Sequence, residues 1–113
     1  VLGGTITMLQ TSGESPMREQ MPPEQHDMVI HVRMSVGDAL LMGSDAPPQY
    51  YSRPQGFGVS VTVPTTDEAQ RIFDAFAQGG TVTMPFEATF WSPGFGMVTD
   101  RFGTPWMIGC DPA

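Results

Sequence analysis

The sequence predicts an α+β domain made of paired βαβββ modules, the first of them shortened, and three observations carry that reading. Apolar and polar residues alternate in a series of short runs, the signature of half-buried strands. One stretch changes to the three-and-four spacing of an amphipathic helix. A single pattern, GGT[IV]TM, occurs twice, as Gly3-Gly4-Thr5-Ile6-Thr7-Met8 and as Gly79-Gly80-Thr81-Val82-Thr83-Met84, which points to internal duplication. At 113 residues the chain has room for one domain. With 40% hydrophobic and 15% charged residues it is globular in composition. Its 11 Pro and 13 Gly are scattered, as expected of many short elements joined by turns.

In chain order, Val1-Leu2-Gly3-Gly4 reads as the tail of a helix ended by a left-handed glycine. Residues 5–9 alternate as a short strand. Residues 10–27, with Pro16, Pro22 and Pro23, read as a long irregular connection of the kind that is often functional or mobile. Residues 28–35 alternate clearly, with Met28, Ile30, Val32 and Met34 on one face and Val29, His31, Arg33 and Ser35 on the other. Gly37-Asp38 is a tight-turn signal, and residues 39–44 complete a hairpin. Residues 45–56, with Pro47, Pro48 and Pro54, are loop, and residues 57–63 are a strand. Between residues 66 and 78, Ala69, Ile72, Phe73, Phe76 and Ala77 form a helical stripe. Thr65 or Thr66 can cap its start, Asp67 and Glu68 suit its first turn, and Gly79-Gly80 ends it. Residues 81–86, 95–100 and 105–110 are three further strands, with turns at Pro93-Gly94 and Arg101-Phe102-Gly103. The second half, residues 56–113, therefore reads β-α-β-β-β. The first, residues 1–55, reads as the same module without its first strand and most of its helix.

Charge and composition narrow the function classes. A net charge of −7 with five Lys+Arg argues against a phosphate-binding surface, so no nucleic-acid partner is expected. No apolar run is long enough to span a bilayer, and no membrane partner is expected. Residues 1–10 lack a secretory signal pattern, so the expected location is cytoplasmic. Cys110 stands alone, without an intrachain partner. The nine methionines spread over most elements and fit adaptable packing. Dinucleotide, P-loop, nucleophile-elbow and HExxH signatures are lacking.

Nearly the whole chain resembles the vicinal-oxygen-chelate (glyoxalase/bleomycin resistance/dioxygenase) superfamily, and within it the PhnB-like branch. The matching stretches include VLGGTITM, GESPM, HVRMSVGDALLMGSDAPP, QGFGVSVTV, DEAQRIFDAFAQGGTVTMPF and FWSPGFGMVTDRFGTPWMI. Members typically fold their modules into curved mixed sheets that form a cup, often as homodimers, and many hold a divalent metal there. Relatives usually begin with a further strand and helix running into VLGG, so the chain looks N-terminally short by comparison. Some PhnB-like sequences carry the label 3-demethylubiquinone methyltransferase, but no glycine-rich methyl-donor loop supports methyl transfer here.

The resemblance also implies where metal ligands would stand. One comes from an opening strand that this chain lacks, and another is a His where Gly58 or Ser60 stands here. A third is a Glu where Asp100-Arg101-Phe102-Gly103-Thr104-Pro105-Trp106-Met107 puts Met107. The expectation is therefore no metal and no cofactor. His31 and Arg33 share the polar side of a strand and could bind or protonate an anionic ligand, or His31 could simply be a hydrogen-bonded cavity or interface residue. His26, in the Pro-rich connection, reads as a solvated histidine. Glu87, beside Phe90-Trp91, is a candidate acid or base, or a plain loop carboxylate. Trp91, Phe95, Trp106 and Met42 could wall an apolar site, with Trp106 equally suited to the core, and Ser60 completes the ligand-binding candidates. Three readings follow: a binding protein for a small organic ligand, a metal-dependent glyoxalase, isomerase or dioxygenase using His31 and Glu87, or a non-functional fragment that folds as a dimer.

Overall fold

A computed structural model describes residues 1–112. It is an α+β structure with two sheets and one α-helix, dividing into two compact units, Leu2–Tyr51 and a second that begins at Ser52.

The first unit is an antiparallel sheet in the order β1-β2-β3, with β1 at Thr5–Thr11, β2 at Val29–Val36 and β3 at Ala39–Gly43. Val36 pairs with Ala39, which leaves Gly37-Asp38 as a two-residue hairpin turn, and Gly37 supplies the positive φ of 55° that such a turn demands. β1 runs two residues past the expected end because Gln10 and Thr11 still find partners in His31 and Val29. One face of the sheet carries Ile6, Leu9, Val32, Met34 and Leu41; Ile6, Leu9 and Leu41 on it are exposed. The opposite face carries Met8, Gln10, His31, Arg33 and Met42.

The connection between β1 and β2 is more ordered than the proline pattern implies. It winds through three 3-10 turns, Ser12–Glu14, Arg18–Gln20 and Pro23–Gln25. Fully buried Ser12 ties it together: its N–H donates to Met28 O at 2.8 Å and its hydroxyl to Gln25 O, while Gly13 N–H donates to His26 O at 2.9 Å. His26 is half-buried. Its Nε2 lies 2.9 Å from Arg18 O and 3.2 Å from Met21 O, and since carbonyls only accept, Nε2 carries the proton. His26 is thus a clasp for the connection and not the solvated side chain expected.

The second unit is a mixed sheet, β4-β7-β6-β5, with β4 at Val59–Val63, β5 at Thr81–Glu87, β6 at Phe95–Thr99 and β7 at Pro105–Cys110. β4 runs parallel to β7 and the other pairs are antiparallel. Helix α1, Thr66–Ala77, connects the two edge strands β4 and β5. Its N-cap is Thr65, whose side chain accepts from Glu68 N–H at 3.2 Å, and Gly79 follows its end at φ 73°. On its solvent side Arg71 hydrogen-bonds Glu68 at 2.7 Å, which holds that carboxyl below its ordinary value; as an exposed pair it adds little to stability.

The core lies between α1 and one face of this sheet. Ala69, Ile72 and Phe73 from the helix are buried, as are Val98, Ile108 and Cys110 from the sheet. Complete burial of side chains such as Ile108 contributes roughly 1.5–3 kcal/mol each. Gly96 makes the close approach possible: a Cβ there would stand 2.7 Å from Phe73 Cε2, so only glycine lets that ring lie on the sheet. β4 starts two residues later than expected, because its partner β7 begins at Pro105, which has no N–H with which to extend the ladder.

The two copies of GGT[IV]TM share details beyond their letters. Gly3 and Gly79 both have φ 73°. The register slips by one residue between Ile6 and Met8 in β1 and again between Val82 and Met84 in β5, a β-bulge at the same motif position in both units. No α-helix among the described residues is long and apolar enough to cross a membrane.

Candidate functional site

Two sheet faces, one in each unit, carry most of the residues singled out from the sequence. In the first unit Arg33 sits in the central strand with Met8 directly opposite on one side and Met42 on the other. His31, two residues away on the same face, pairs with Gln10. His31 is half-buried, whereas Arg33 and Met42 are exposed, so the face offers one imidazole and one guanidinium framed by thioethers and an amide. Met8 and Gln10 were missed in the sequence because nothing local to them reveals which β2 residues they will oppose.

In the second unit the face away from α1 carries a row across all four strands: Met84 opposite Met97, Met97 opposite Met107, and Met107 opposite Ser60. Glu87 opposes Phe95 on this face, and Trp91 packs edge-on to Phe95 with ring centroids 5.3 Å apart. Ser60 and Glu87 share the face but lie on its opposite edge strands, three strand spacings or about 14 Å apart. They do not form one cluster. Glu87 is exposed.

Trp91 is positioned by a buried serine. Ser92 Oγ lies 2.7 Å from both Gly94 O and Cys110 O, its single proton serving one carbonyl at a time, and its N–H donates to Thr89 Oγ1 at 3.1 Å. This pins the loop before β6 to the end of β7. Trp91 remains 46% exposed beside the nearly bare Phe90. The result is an aromatic step at one end of the sheet face.

Trp106 does not belong to that face. It stacks on Phe76 of α1, with centroids 4.3 Å apart and planes 15° from parallel, and its Nε1–H donates to Asp100 Oδ2 at 2.8 Å. The other Asp100 oxygen accepts from Phe102 N–H at 2.9 Å and Thr104 N–H at 3.0 Å. Strand alternation turns residue 106 toward the helix once Met107 faces away from it. Half-buried Trp106 therefore packs on the helix side of the sheet, apart from the methionine row.

The sequence also gave no notice of a groove of about 430 Å³ in this unit. Met97, Thr83 and Thr99 from the sheet line it, together with Arg53, Gln55 and Phe57 from the segment before β4. The β-bulge at Thr83 and the exclusion of Phe57 from β4 both contribute to it, and neither leaves a local pattern.

The superfamily's divalent metal can be tested against these donors. Among the described residues no three of His, Cys, Asp and Glu stand close enough to share an ion. Where the resemblance puts a ligating Glu, Met107 is flanked by Met97 and Ser60, and its side chain lies against Gly58. Thioethers are soft donors and a serine hydroxyl is a weak one, so this set does not fit the hard or borderline ions that relatives use.

Comparison with known proteins agrees with this architecture. The model of the Glyoxalase/Bleomycin resistance protein/Dioxygenase superfamily matches residues 2–108. Protein YjdN of Escherichia coli (strain K12) is 38% identical over 115 residues, covering 95% of this chain and 78% of that protein. The crystal structure of protein PA1353 from Pseudomonas aeruginosa superposes with a TM-score of 0.87 at 43% identity, over 97% of this chain and 80% of that one. A PhnB protein from Bacillus cereus has the same fold, with a TM-score of 0.77 at 21% identity over 96% and 80% of the two chains. On the match to the family model and the identity with these relatives, the chain belongs to the glyoxalase/bleomycin resistance protein/dioxygenase superfamily.

Proposed function

We propose that this protein is a PhnB-like member of the superfamily that binds a small organic ligand in a cup-shaped cavity and does so without the divalent metal used by other members. The observation that carries the reading is the Met84-Met97-Met107-Ser60 row: at the position where a carboxylate would hold a metal there is a thioether, and its cross-strand neighbours are another thioether and a hydroxyl. Such a surface suits packing against an organic molecule, since methionine adapts its shape to what it meets. Within the first unit His31 and Arg33 offer polar and cationic contacts; within the second, Glu87 and Trp91 offer an acidic and an aromatic one. The reading places the protein in the cytoplasm as a homodimer. The exposed Ile6, Leu9 and Leu41 face supports the second point, because an apolar patch of this kind is normally covered.

A thermal-shift screen of the full chain against a library of small metabolites tests the proposal, because a ligand that prefers the folded state must raise the melting temperature. At least one small organic compound should raise it in a concentration-dependent way, with the effect reduced in His31→Ala or Arg33→Ala. If no compound does so, the ligand-binding reading fails and a folded chain without a working site is the reading that remains.

A further inference from the structure

We propose that the groove lined by Arg53, Phe57, Thr83, Met97 and Thr99 is the part of the protein that selects its ligand, and that the ligand class is a small aromatic monocarboxylate. This rests on the ligand-binding reading above and names the chemistry it would serve. The volume of about 430 Å³ falls in the range of small-molecule sites and accommodates a single substituted ring.

The lining has two chemical halves. Met97 and Phe57 offer a thioether and a ring, the surfaces that gain most from an aromatic partner through sulfur–aromatic and edge or offset ring contacts. Arg53, Thr83 and Thr99 offer a guanidinium and two hydroxyls, all of which can donate to a carboxylate. The one ion pair among the described residues is Glu68–Arg71, so Arg53 has no acidic partner within salt-bridge distance and its charge is available. The balance of charge selects a monoanion. The chain carries 12 acidic residues against five Lys+Arg, and a dianion such as a phosphate monoester would meet a single guanidinium in a repulsive overall field.

The test is a titration of the isotope-labelled full chain, followed by amide chemical shifts so that weak binding is read, with benzoate, benzamide and cyclohexanecarboxylate as probes. Benzoate should saturate and shift the amides of Thr83, Met97 and Thr99. Benzamide, which lacks the charge, and cyclohexanecarboxylate, which lacks the ring, should each bind about tenfold more weakly, the loss expected for one charge-assisted contact or one aromatic contact. Arg53→Gln should weaken benzoate by about the same factor and leave benzamide unchanged, whereas Arg101→Gln, which removes a cation outside the groove, should leave benzoate binding intact. Arg53 is exposed, so its replacement does not endanger the fold. Equal affinity for benzoate and benzamide, benzoate binding unaffected by Arg53→Gln, shifts centred elsewhere, or no saturation would each overturn the proposal. If the metabolite screen finds a ligand while benzoate fails, the groove assignment falls and the ligand-binding reading stands; if the screen also finds none, both fall.

Discussion

Replacing Trp106 with phenylalanine separates a core role from a binding role. The substitution keeps a ring to stack on Phe76 but removes the indole N–H that donates to Asp100 Oδ2 at 2.8 Å. A hydrogen bond to a charged group is worth about 1.5–3 kcal/mol, and because Asp100 is half-buried, water recovers part of that, so the lower end applies. Adding the lost contact area of the larger ring brings the cost to about 2 kcal/mol. For a chain of this size that lowers the melting temperature by about 6–12 °C. Asp100→Ala removes the same bond together with the acceptors for Phe102 N–H and Thr104 N–H, and should cost about 2–3 kcal/mol. The double variant should lose less than the two singles combined, with a coupling of about 1–1.5 kcal/mol in a cycle measured by urea unfolding and circular dichroism. Ligand affinity should stay unchanged in folded Trp106→Phe. Additive losses, or weakened ligand binding without a change in melting temperature, would refute the core assignment.

Other variants probe the same fold more briefly. Ile108→Ala empties a fully buried position under α1 and should cost about 2–5 kcal/mol in denaturant unfolding, against about 0.5–1.5 kcal/mol for Ile108→Val. Gly80→Ala should be strongly destabilising, since its Cβ would lie 2.6 Å from Phe76 O, while Gly43→Ala, with its nearest neighbour at 3.5 Å, should be tolerated; thermal melts of the pair check this. His26→Ala should raise hydrogen exchange and proteolytic cleavage across residues 12–28 and leave the second unit as protected as before.

The strands and the helix were legible in the sequence because their faces repeat at fixed periods: residues 28–35 alternate cleanly, and Ala69, Ile72 and Phe73 fall on the stripe that became the core. The duplication was legible for a different reason, since a bulge and a left-handed glycine demand particular residues and both copies of the motif supply them. What escaped was everything set by pairing between distant strands. The opposition of Arg33 to Met8 and Met42, the methionine row and the groove at Thr83 depend on register that no local window contains. The role of His26 has no local signature because its partners are backbone carbonyls, which every residue has and no motif marks. For Trp106 the alternation of β7 held the answer: once Met107 faces away from α1, its neighbour must point to the helix.

The most direct test of the central claim is calorimetric titration of the metal-stripped full chain with Ni²⁺, Zn²⁺ and Mn²⁺ in turn. A surface of thioethers and a hydroxyl should give only weak, unsaturated heats with all three ions. Tight one-to-one binding of any of them, lost in His31→Ala or Glu87→Ala, would contradict the account and return this chain to the metal-dependent members of its superfamily.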